Sequence, residues 1–419
     1  MEEVEVPSYF LCPISLQIMR DPVTLSTGIT YDRCSIERWL FSGRRATCPV
    51  TKQPLPDSGE GDLIPNHTLR RLIQSWCSAN AASGVERFPT PRAPVGKAQL
   101  AALLAESQLQ NSRVQALRKL KKIVGESERN KQFVAADTGV IDFLVSIVSG
   151  KNEEEDYPSP AVDEAVSILH YLQMSDDRLT SLLEKSDGDL ISSLTAVLRR
   201  SNWQSRAFAV LLIKSLIEAS PTATIFIHLS EEFFQEVIRV LRDRVSYQAM
   251  KAAMKALYTV LPWGRNAAKA VSAGAVQVLI ELLLDEPEKR VCETMLVLLD
   301  EMSRSGRGRA EIAGHAAGMA VVSKKILRVS PAASERAVRI LYEISRHSAT
   351  ATEKVIEEMV EVGVVSKLCL LLRTEVCSKR AREMAREILR MHSRVWRTSP
   401  CLSPQHLKVL RQSSRGRSC

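Results

Sequence analysis

Residues 10–22, "FLCPISLQIMRDP", begin like half of a zinc site and then decline to finish it. A C-x-x-C clamp would place a second thiol at position 15, and Ser15 stands there instead. Downstream, "TCPVTKQPL" (47–55) does the same, with Cys48-Pro49-Val50 followed by Thr51. A structural zinc site needs four ligands, mostly Cys or His, converging tetrahedrally. Residues 1–80 offer Cys12, Cys34, Cys48, Cys77 and His67, with no two cysteines two to four positions apart. The eight ligands of a two-zinc cross-brace are not there. What remains is the shape of a cross-brace held by hydrogen bonds and ion pairs where the ions would sit. Ser15 and Thr51 are expected to bond loop backbone groups, with Asp21, Asp32, Arg33, Glu37 and Asn66 as further partners.

Around these loops, Pro7, Pro13, Pro22, Pro49, Pro54, Pro56 and Pro65 punctuate short segments. "PVTLSTGITYD" (22–32) reads as a hairpin, with Val23–Leu25 and Ile29–Tyr31 joined by a Ser26-Thr27-Gly28 turn. "DRCSIERWLFSG" (32–43) reads as a helix with Ile36, Trp39 and Leu40 on one face and Gly43 to stop it. "PNHTLRRLIQSWCSAN" (65–80) has Asn66 as a cap and Leu69, Leu72, Ile73 and Trp76 at helical spacing. The order gives a small α+β module over residues 1–80, a size that usually needs a staple such as a metal. "SGVERFPTPRAPVG" (83–96) carries Pro89, Pro91 and Pro94 and predicts a semi-rigid linker over 81–96.

From Lys97 the texture changes to long helical periodicities. A turn glycine followed by an apolar helix recurs as "DTGVIDFLVSIV", "SAGAVQVLIELL", "HAAGMAVVSKKI" and "EVGVVSKLCLLL", anchored at Gly139, Gly274, Gly318 and Gly363. The last three are 44 and 45 residues apart, and the first gap of 135 holds two degenerate copies at Gly188 and Glu232. Amphipathic stretches such as "SRVQALRKLKKIV" (112–124) and "ERAVRILYEI" (335–344) precede the copies. Helical repeats of about 40–47 residues mean an armadillo or HEAT solenoid, in which each unit buries its apolar face against its neighbours. About six to seven helical units are expected over 97–398.

Composition sets further bounds. Of 419 residues 45% are hydrophobic and 5% aromatic, which suits helices packed on helices. No apolar run reaches the ~20 residues needed to cross a bilayer, and "MEEVEVPSYF" lacks the pattern of a secretory signal. A cytoplasmic location, with the nucleus as a second site, is expected. The nine scattered cysteines read as free thiols in a reducing compartment. Neither Cys34 nor Cys48 has a histidine nearby in sequence to make it catalytic. The net charge of +9 matches that of residues 373–419 alone, where twelve Lys/Arg face three acids, so the body is near neutral and no nucleic-acid partner is expected. "SKRAREMAREILRMHSRVWRTSP" (378–400) is amphipathic through Met384, Ile388, Met391 and Val395. It reads as a capping helix, with a nuclear address or an acidic-membrane contact as alternatives. Residues 399–419 form a basic tail expected to be disordered.

The stretches "VPSYFLCPISLQIMRDPVTLSTGITYDRCSIERWL", "TCPVTKQPL" and "LIPNHTLRRLIQSW" together resemble the U-box pattern. Joined to a helical repeat array, the chain resembles the plant U-box/armadillo ubiquitin ligases, and within them the stress- and immune-signalling subgroup. The resemblance implies a multidomain fold, a RING-like α+β U-box without zinc followed by an all-α armadillo solenoid. It implies an enzyme that docks a ubiquitin-charged conjugating enzyme and promotes transfer to substrate lysines by positioning alone, with no catalytic residue, cofactor or metal. Docking falls by motif on Ile14, Leu16, Trp39, Pro49, Val50 and Lys52. An arginine would suit position 52 better, because its fork contacts two carbonyls at once. Asp21, Tyr31, Asp32 and Asn66 read as scaffold, and the armadillo groove as the substrate surface. The alternatives are a non-catalytic scaffold that self-associates through its U-box, and a chain-elongating factor.

Overall fold

The computed structural model describes residues 6–33, 35–36, 39, 47–55, 63–80, 96–126, 128–150, 160–186, 188–220, 224–286, 288–347, 352–374, 377–397, 399–400, 402 and 404–406. The chain divides into two compact units, Met1–Pro94 and Val95–Cys419. Residues 81–95 of the expected linker and 407–419 of the expected tail lie outside the described residues.

In the first unit, β1 (Pro22–Thr24) pairs antiparallel with β2 (Thr30–Asp32), Val23 opposite Tyr31. Gly28, at φ 79°, closes the turn by donating its N–H to the Leu25 carbonyl at 2.8 Å. A third strand, β3 (Ile64–Pro65), lies on the other side of β1. No alternation announces it, because it is two residues long and ends in proline. Arg33, Ser35, Ile36 and Trp39 are helical, while Leu40 to Gly43 fall outside the described residues.

Helix α1 (His67–Ala79) starts at Asn66, whose Oδ1 accepts the Leu69 N–H at 3.0 Å. The same residue donates its backbone N–H to the Pro22 carbonyl at 2.8 Å and its Nδ2–H to Thr24 Oγ1 at 3.4 Å. One side chain therefore both caps the helix and fastens it to β1. Ile73 and Cys77 are buried, with Leu69 and Trp76 packed beside them. Leu72 is 52% exposed, against expectation. A helix turns about 100° per residue, so a stripe centred on 69, 73, 76 and 77 leaves position 72 at its edge, roughly 85° from the centre. The core comprises Phe10, Cys12, Met19, Val23, Leu25, Tyr31, Ile36, Cys48, Leu55, Ile73 and Cys77.

The second unit opens with α2 (Lys97–Gln108) and α3 (Gln110–Glu126). Three-helix units follow: α4 (Glu128–Ala136), α5 (Thr138–Val148), α6 (Pro160–Leu172); α7 (Asp176–Ser186), α8 (Asp189–Leu198), α9 (Trp203–Ala219); and α10 (Thr224–Ile227), α11 (Glu231–Arg242), α12 (Tyr247–Val260). The next are α13 (Asn266–Ser272), α14 (Ala275–Asp285), α15 (Lys289–Ser303); α16 (Gly306–Gly314), α17 (Gly318–Lys325), α18 (Pro331–Arg346); and α19 (Glu353–Glu361), α20 (Val364–Leu372), α21 (Lys379–Met391), closed by α22 (Ser393–Arg397). Each third helix packs on the next, from α3 through α6, α9, α12, α15 and α18 to α21, and the second helices stack likewise. One continuous core results, as a solenoid requires.

The glycines do not all act as turns. Gly188, Gly274 and Gly363 precede α8, α14 and α20 at φ 86°, 83° and 77°, a left-handed conformation that glycine adopts freely. At Gly274 the chain bends 75° between α13 and α14. Gly139 instead lies inside the first turn of α5, capped by Asp137, which accepts its N–H at 2.9 Å. Gly318 begins α17, where a Cβ would collide with the Ile312 carbonyl oxygen. The four share a register but answer three different demands. In α21, Met384 and Ile388 are buried, yet Val395 is 39% exposed. The helix breaks at His392, and Trp396 takes the inner place, its indole N–H reaching the Ile356 carbonyl at 2.9 Å.

A buried ion pair locks two third helices. Asp300 on α15 is fully buried and accepts from Arg339 Nε at 2.6 Å, from Arg339 Nη2, and from Arg336 Nη1 at 2.9 Å, both arginines on α18. Asp300 is the buried member of this group, while Arg336 and Arg339 keep 37% and 19% of their side chains in solvent. Asp300→Ala leaves two arginines that both reach solvent, so it should cost the hydrogen bonds to a charged group, about 1.5–3 kcal/mol in urea denaturation; a loss below about 0.5 kcal/mol would contradict the lock.

Candidate functional site

The two Cys-Pro loops fold as copies of one another. Leu11 bridges Ile18, and Thr47 bridges Pro54. In the first loop Cys12 N–H donates to the Gln17 carbonyl at 2.8 Å, and Leu16 N–H donates back to the Cys12 carbonyl at 2.8 Å. In the second, Cys48 N–H reaches the Gln53 carbonyl at 2.9 Å and Lys52 N–H the Cys48 carbonyl at 3.0 Å. Leu16 and Lys52 hold the equivalent position, and both are left-handed, at φ 56° and 59°. A side chain in that conformation costs about 1–2 kcal/mol, which glycine would avoid.

The hydrogen bonds show what stands where metal would. Cys12 Sγ accepts the Asp32 N–H at 3.3 Å, and the Ser15 hydroxyl and the Ser15 and Ile14 N–H groups also point to it. Cys48 Sγ receives the Tyr31 hydroxyl at 3.1 Å and the Thr27 hydroxyl at 3.4 Å, with the Thr51 hydroxyl and N–H beside them. Ser15 therefore turns to sulfur, while Thr51 serves both sulfur and backbone, its Oγ1 accepting the Gln53 N–H at 3.5 Å. Among the described residues no three His, Cys, Asp or Glu side chains converge as a metal site.

These donors set the acidities. Burial raises the Cys48 thiol, but the bonds from Thr27, Thr51 and Tyr31 outweigh it and bring the pKa down to about 6. Burial likewise opposes, and the Asp32, Ser15 and Ile14 bonds carry, a lowering at Cys12. Tyr31 is pushed up by burial and by the bond to Cys48, so its hydroxyl keeps its proton and donates it to sulfur. The same oxygen accepts the Val50 N–H at 3.3 Å. Cys48 is fully buried, which makes it an acceptor inside the fold and not a nucleophile at the surface.

The expected scaffold residues stand on or beside this arrangement. Asp32 Oδ1 accepts the N–H groups of Arg20 at 2.8 Å and Asp21 at 2.9 Å, closing the chain after the first loop. Asp21 pairs with Arg33 Nε at 2.7 Å and, more loosely, with Arg70 at 3.6 Å. Of the other expected partners, Glu37 lies outside the residues whose side chains are described. Thr27 was not singled out from the sequence, since a threonine in a hairpin turn is ordinary turn chemistry and carries no mark of its distant sulfur partner.

The expected docking residues lie on the loops and helix so positioned. Leu16 is 74% and Val50 52% exposed, and the Lys52 side chain is also in solvent. Ile14 and Pro49 are half-buried. Trp39 is half-buried too, its indole N–H donating to the Thr47 carbonyl at 3.1 Å, with Lys52 Nζ 5.7 Å from its ring centre. The helix and the second loop are thus joined through Trp39, while the first loop is tied to them through β2.

The depressed thiol predicts a pH dependence. Cys48 titrates near 8.5 when unfolded and at about 6 when folded. The stabilisation is therefore complete above the unfolded value and lost as pH falls through the folded one. Protection of the Tyr31 and Val50 amides from hydrogen exchange, corrected for intrinsic rate, should rise between pH 6 and pH 8, and Cys48→Ala should flatten that rise. An equal slope in the variant would contradict the assignment.

Comparison with known proteins agrees with this geometry. Residues 6–82 match the U-box domain model, and residues 98–412 match the model of the plant U-box protein ARM repeat region. The chain is 48% identical over 407 residues to the E3 ubiquitin-protein ligase PUB23 of Arabidopsis thaliana, covering 96% of each chain. It is 45% identical to the E3 ubiquitin-protein ligase PUB22 of the same plant, covering 97% of this chain and 98% of that one. A solved structure from work on a phosphorylation switch between cadherin and beta-catenin aligns with a TM-score of 0.55 at 16% identity. It covers 78% of this chain and 58% of that one, a likeness of fold alone. Sulfurs held by hydroxyls, paired loops and stacked helical units thus have one reading: the chain belongs to the plant U-box proteins with an armadillo repeat region, and is a U-box E3 ubiquitin-protein ligase that forms no covalent intermediate.

Proposed function

We propose that Ile14, Leu16, Trp39, Pro49, Val50 and Lys52 form the surface on which a ubiquitin-charged conjugating enzyme docks, and that the armadillo unit recruits the protein substrate. The observation that carries the first part is the side chain of Leu16. It is held in a conformation unfavourable for leucine and left 74% exposed, so neither backbone nor core gains from its presence. Val50, at the position matching Ile14, is likewise exposed. Half-buried Ile14, Pro49 and Trp39 lie lower, giving a shallow apolar shelf suited to a weak, fast-exchanging partner. The ligase contributes position, holding the thioester-bearing partner near a substrate amine.

Recruitment by the solenoid is supported by its row of third helices. Lys251 lies over the Tyr247 ring at 4.7 Å, Lys255 over Tyr258 at 5.1 Å and Arg346 over Tyr342 at 5.5 Å, and Trp203 is 63% exposed. Such groups offer an extended segment both charge and flat apolar area. The setting we propose, stress and immune signalling in the cytoplasm and nucleus, rests on the resemblance to that subgroup.

The test is self-modification of the full chain with activating enzyme, conjugating enzyme, ubiquitin and ATP. Ile14→Ala and Trp39→Ala should each slow ubiquitin chain formation about tenfold or more, the loss of one or two anchors in a small interface. Leu16→Gly should also slow it while relieving about 1 kcal/mol of backbone strain, so that the U-box becomes more stable as it becomes less active. Undiminished activity in all three variants would remove these residues from the docking surface.

A further inference from the structure

Where α14 ends and α15 begins, the solenoid forms a crevice against the end of α17. It holds a cavity of about 270 Å³ lined by Asp285, Glu286, Lys289, Lys324, Lys325 and Arg328, with Cys292 in its wall. Lys325 is only 8% exposed. Lysines are almost never buried so far unless paired, yet among the described residues its ammonium meets only Cys292 Sγ, at 3.5 Å. Burial pushes that thiol's pKa up, leaving it a neutral and weak acceptor. A buried cation thus lines a cavity of mixed polar and apolar walls, Leu284 and Val329 among them, with no anion bonded to it among the described residues.

The surroundings fit a doubly charged ligand. Lys289, Lys324 and Arg328 stand exposed at the rim and enter no ion pair among the described residues. Four cations face two carboxylates, a surplus of two positive charges, and Glu286 is already engaged through Oε1 by the Glu288 N–H at 2.8 Å. Helix α15 begins at this wall with no side-chain cap from Glu288, adding the positive end of its dipole. Lys324 and Lys325 also sit in the last turn of α17, where cations oppose the helix dipole. That role suits Lys324 in solvent, but it does not require an amine buried beside a thiol. One unit earlier the matching crevice, about 240 Å³, is lined by Arg244 against the same Asp285 and Glu286 and has no buried amine. The charge surplus belongs to the later crevice.

We propose that this cavity binds a phosphomonoester dianion, with Lys325 as its buried anchor and Lys324, Arg328 and Lys289 closing over it. The group is either a phosphorylated serine or threonine of a protein or a free phosphate ester. The site is independent of the conjugating-enzyme shelf. Calorimetric titration of the full chain at low salt, with inorganic phosphate and with N-acetyl-phosphoserine amide, tests it. At least one probe should bind saturably with a Kd of about 1 mM or tighter. Lys325→Met should weaken binding about tenfold or more, the loss of one charge-assisted hydrogen bond. Arg328→Gln, on the exposed rim, should weaken it severalfold with unchanged melting, so the test survives if the buried variant misfolds. Arg244→Gln should leave binding as it was. Tighter binding of the phosphoserine probe identifies a phosphorylated protein as the source; equal or tighter binding of inorganic phosphate identifies a free ester. Absence of saturable binding by both probes, or binding unchanged in Lys325→Met and Arg328→Gln alike, would overturn the proposal.

Discussion

Two consecutive residues of one short strand hold both Cys-Pro loops by their sulfurs. Tyr31 turns inward and gives its hydroxyl proton to Cys48, while Asp32 gives its backbone N–H to Cys12 and accepts at its carboxylate the Arg20 and Asp21 N–H groups behind the first loop. The separation of the loops is then fixed by the pitch of β2. This answers why each loop keeps one cysteine and drops the other. With Ser15 and Thr51 in the second-ligand positions, the remaining sulfur changes from metal ligand to hydrogen-bond acceptor, ringed by donors that lower its pKa. A network of this kind, fully satisfied, can specify a single core in a module too small to be held by apolar burial alone.

The function follows from what this scaffold holds outward. A ligase that makes no covalent bond to ubiquitin works by position, and the two loops are held rigidly by the same backbone bonds, made twice. Their left-handed residues carry opposite chemistry, an apolar Leu16 on one loop and a cationic Lys52 beside Trp39 on the other. One loop thus presents an apolar side chain and its copy a charged one. The strain at both positions is offset by the closed hydrogen-bond rings around them.

Much of this is legible in the sequence. The hairpin, the Asn66 cap and the repeat spacing each have local signals: a Gly28 turn, a short polar residue ahead of an apolar stripe, and recurring glycines. What escaped depended on distance or on exact angle. Strand β3 pairs across forty residues of sequence and has no pattern of its own. Leu72 and Val395 fell on expected inner faces, but one is rotated off its stripe and the other follows a helix break that Trp396 exploits. The glycines shared a register yet differ in cause, since a close carbonyl at Gly318 and a left-handed turn at Gly274 both exclude a side chain. The bond from Thr27 to Cys48 spans 21 residues, and nothing in a turn threonine foretells it.

The second unit is bound by different means, a continuous apolar core with a few buried polar locks such as Asp300 between successive third helices. Its stability and that of the U-box are therefore separable. The central claim, that β2 positions the two Cys-Pro loops through sulfur, is tested most directly by hydrogen exchange at the Val50 and Lys52 amides in Tyr31→Phe. Removal of one hydroxyl should expose the second loop to exchange while the Leu16 amide of the first loop, tied through Asp32, stays protected. Equal protection of both loops in variant and parent would contradict it.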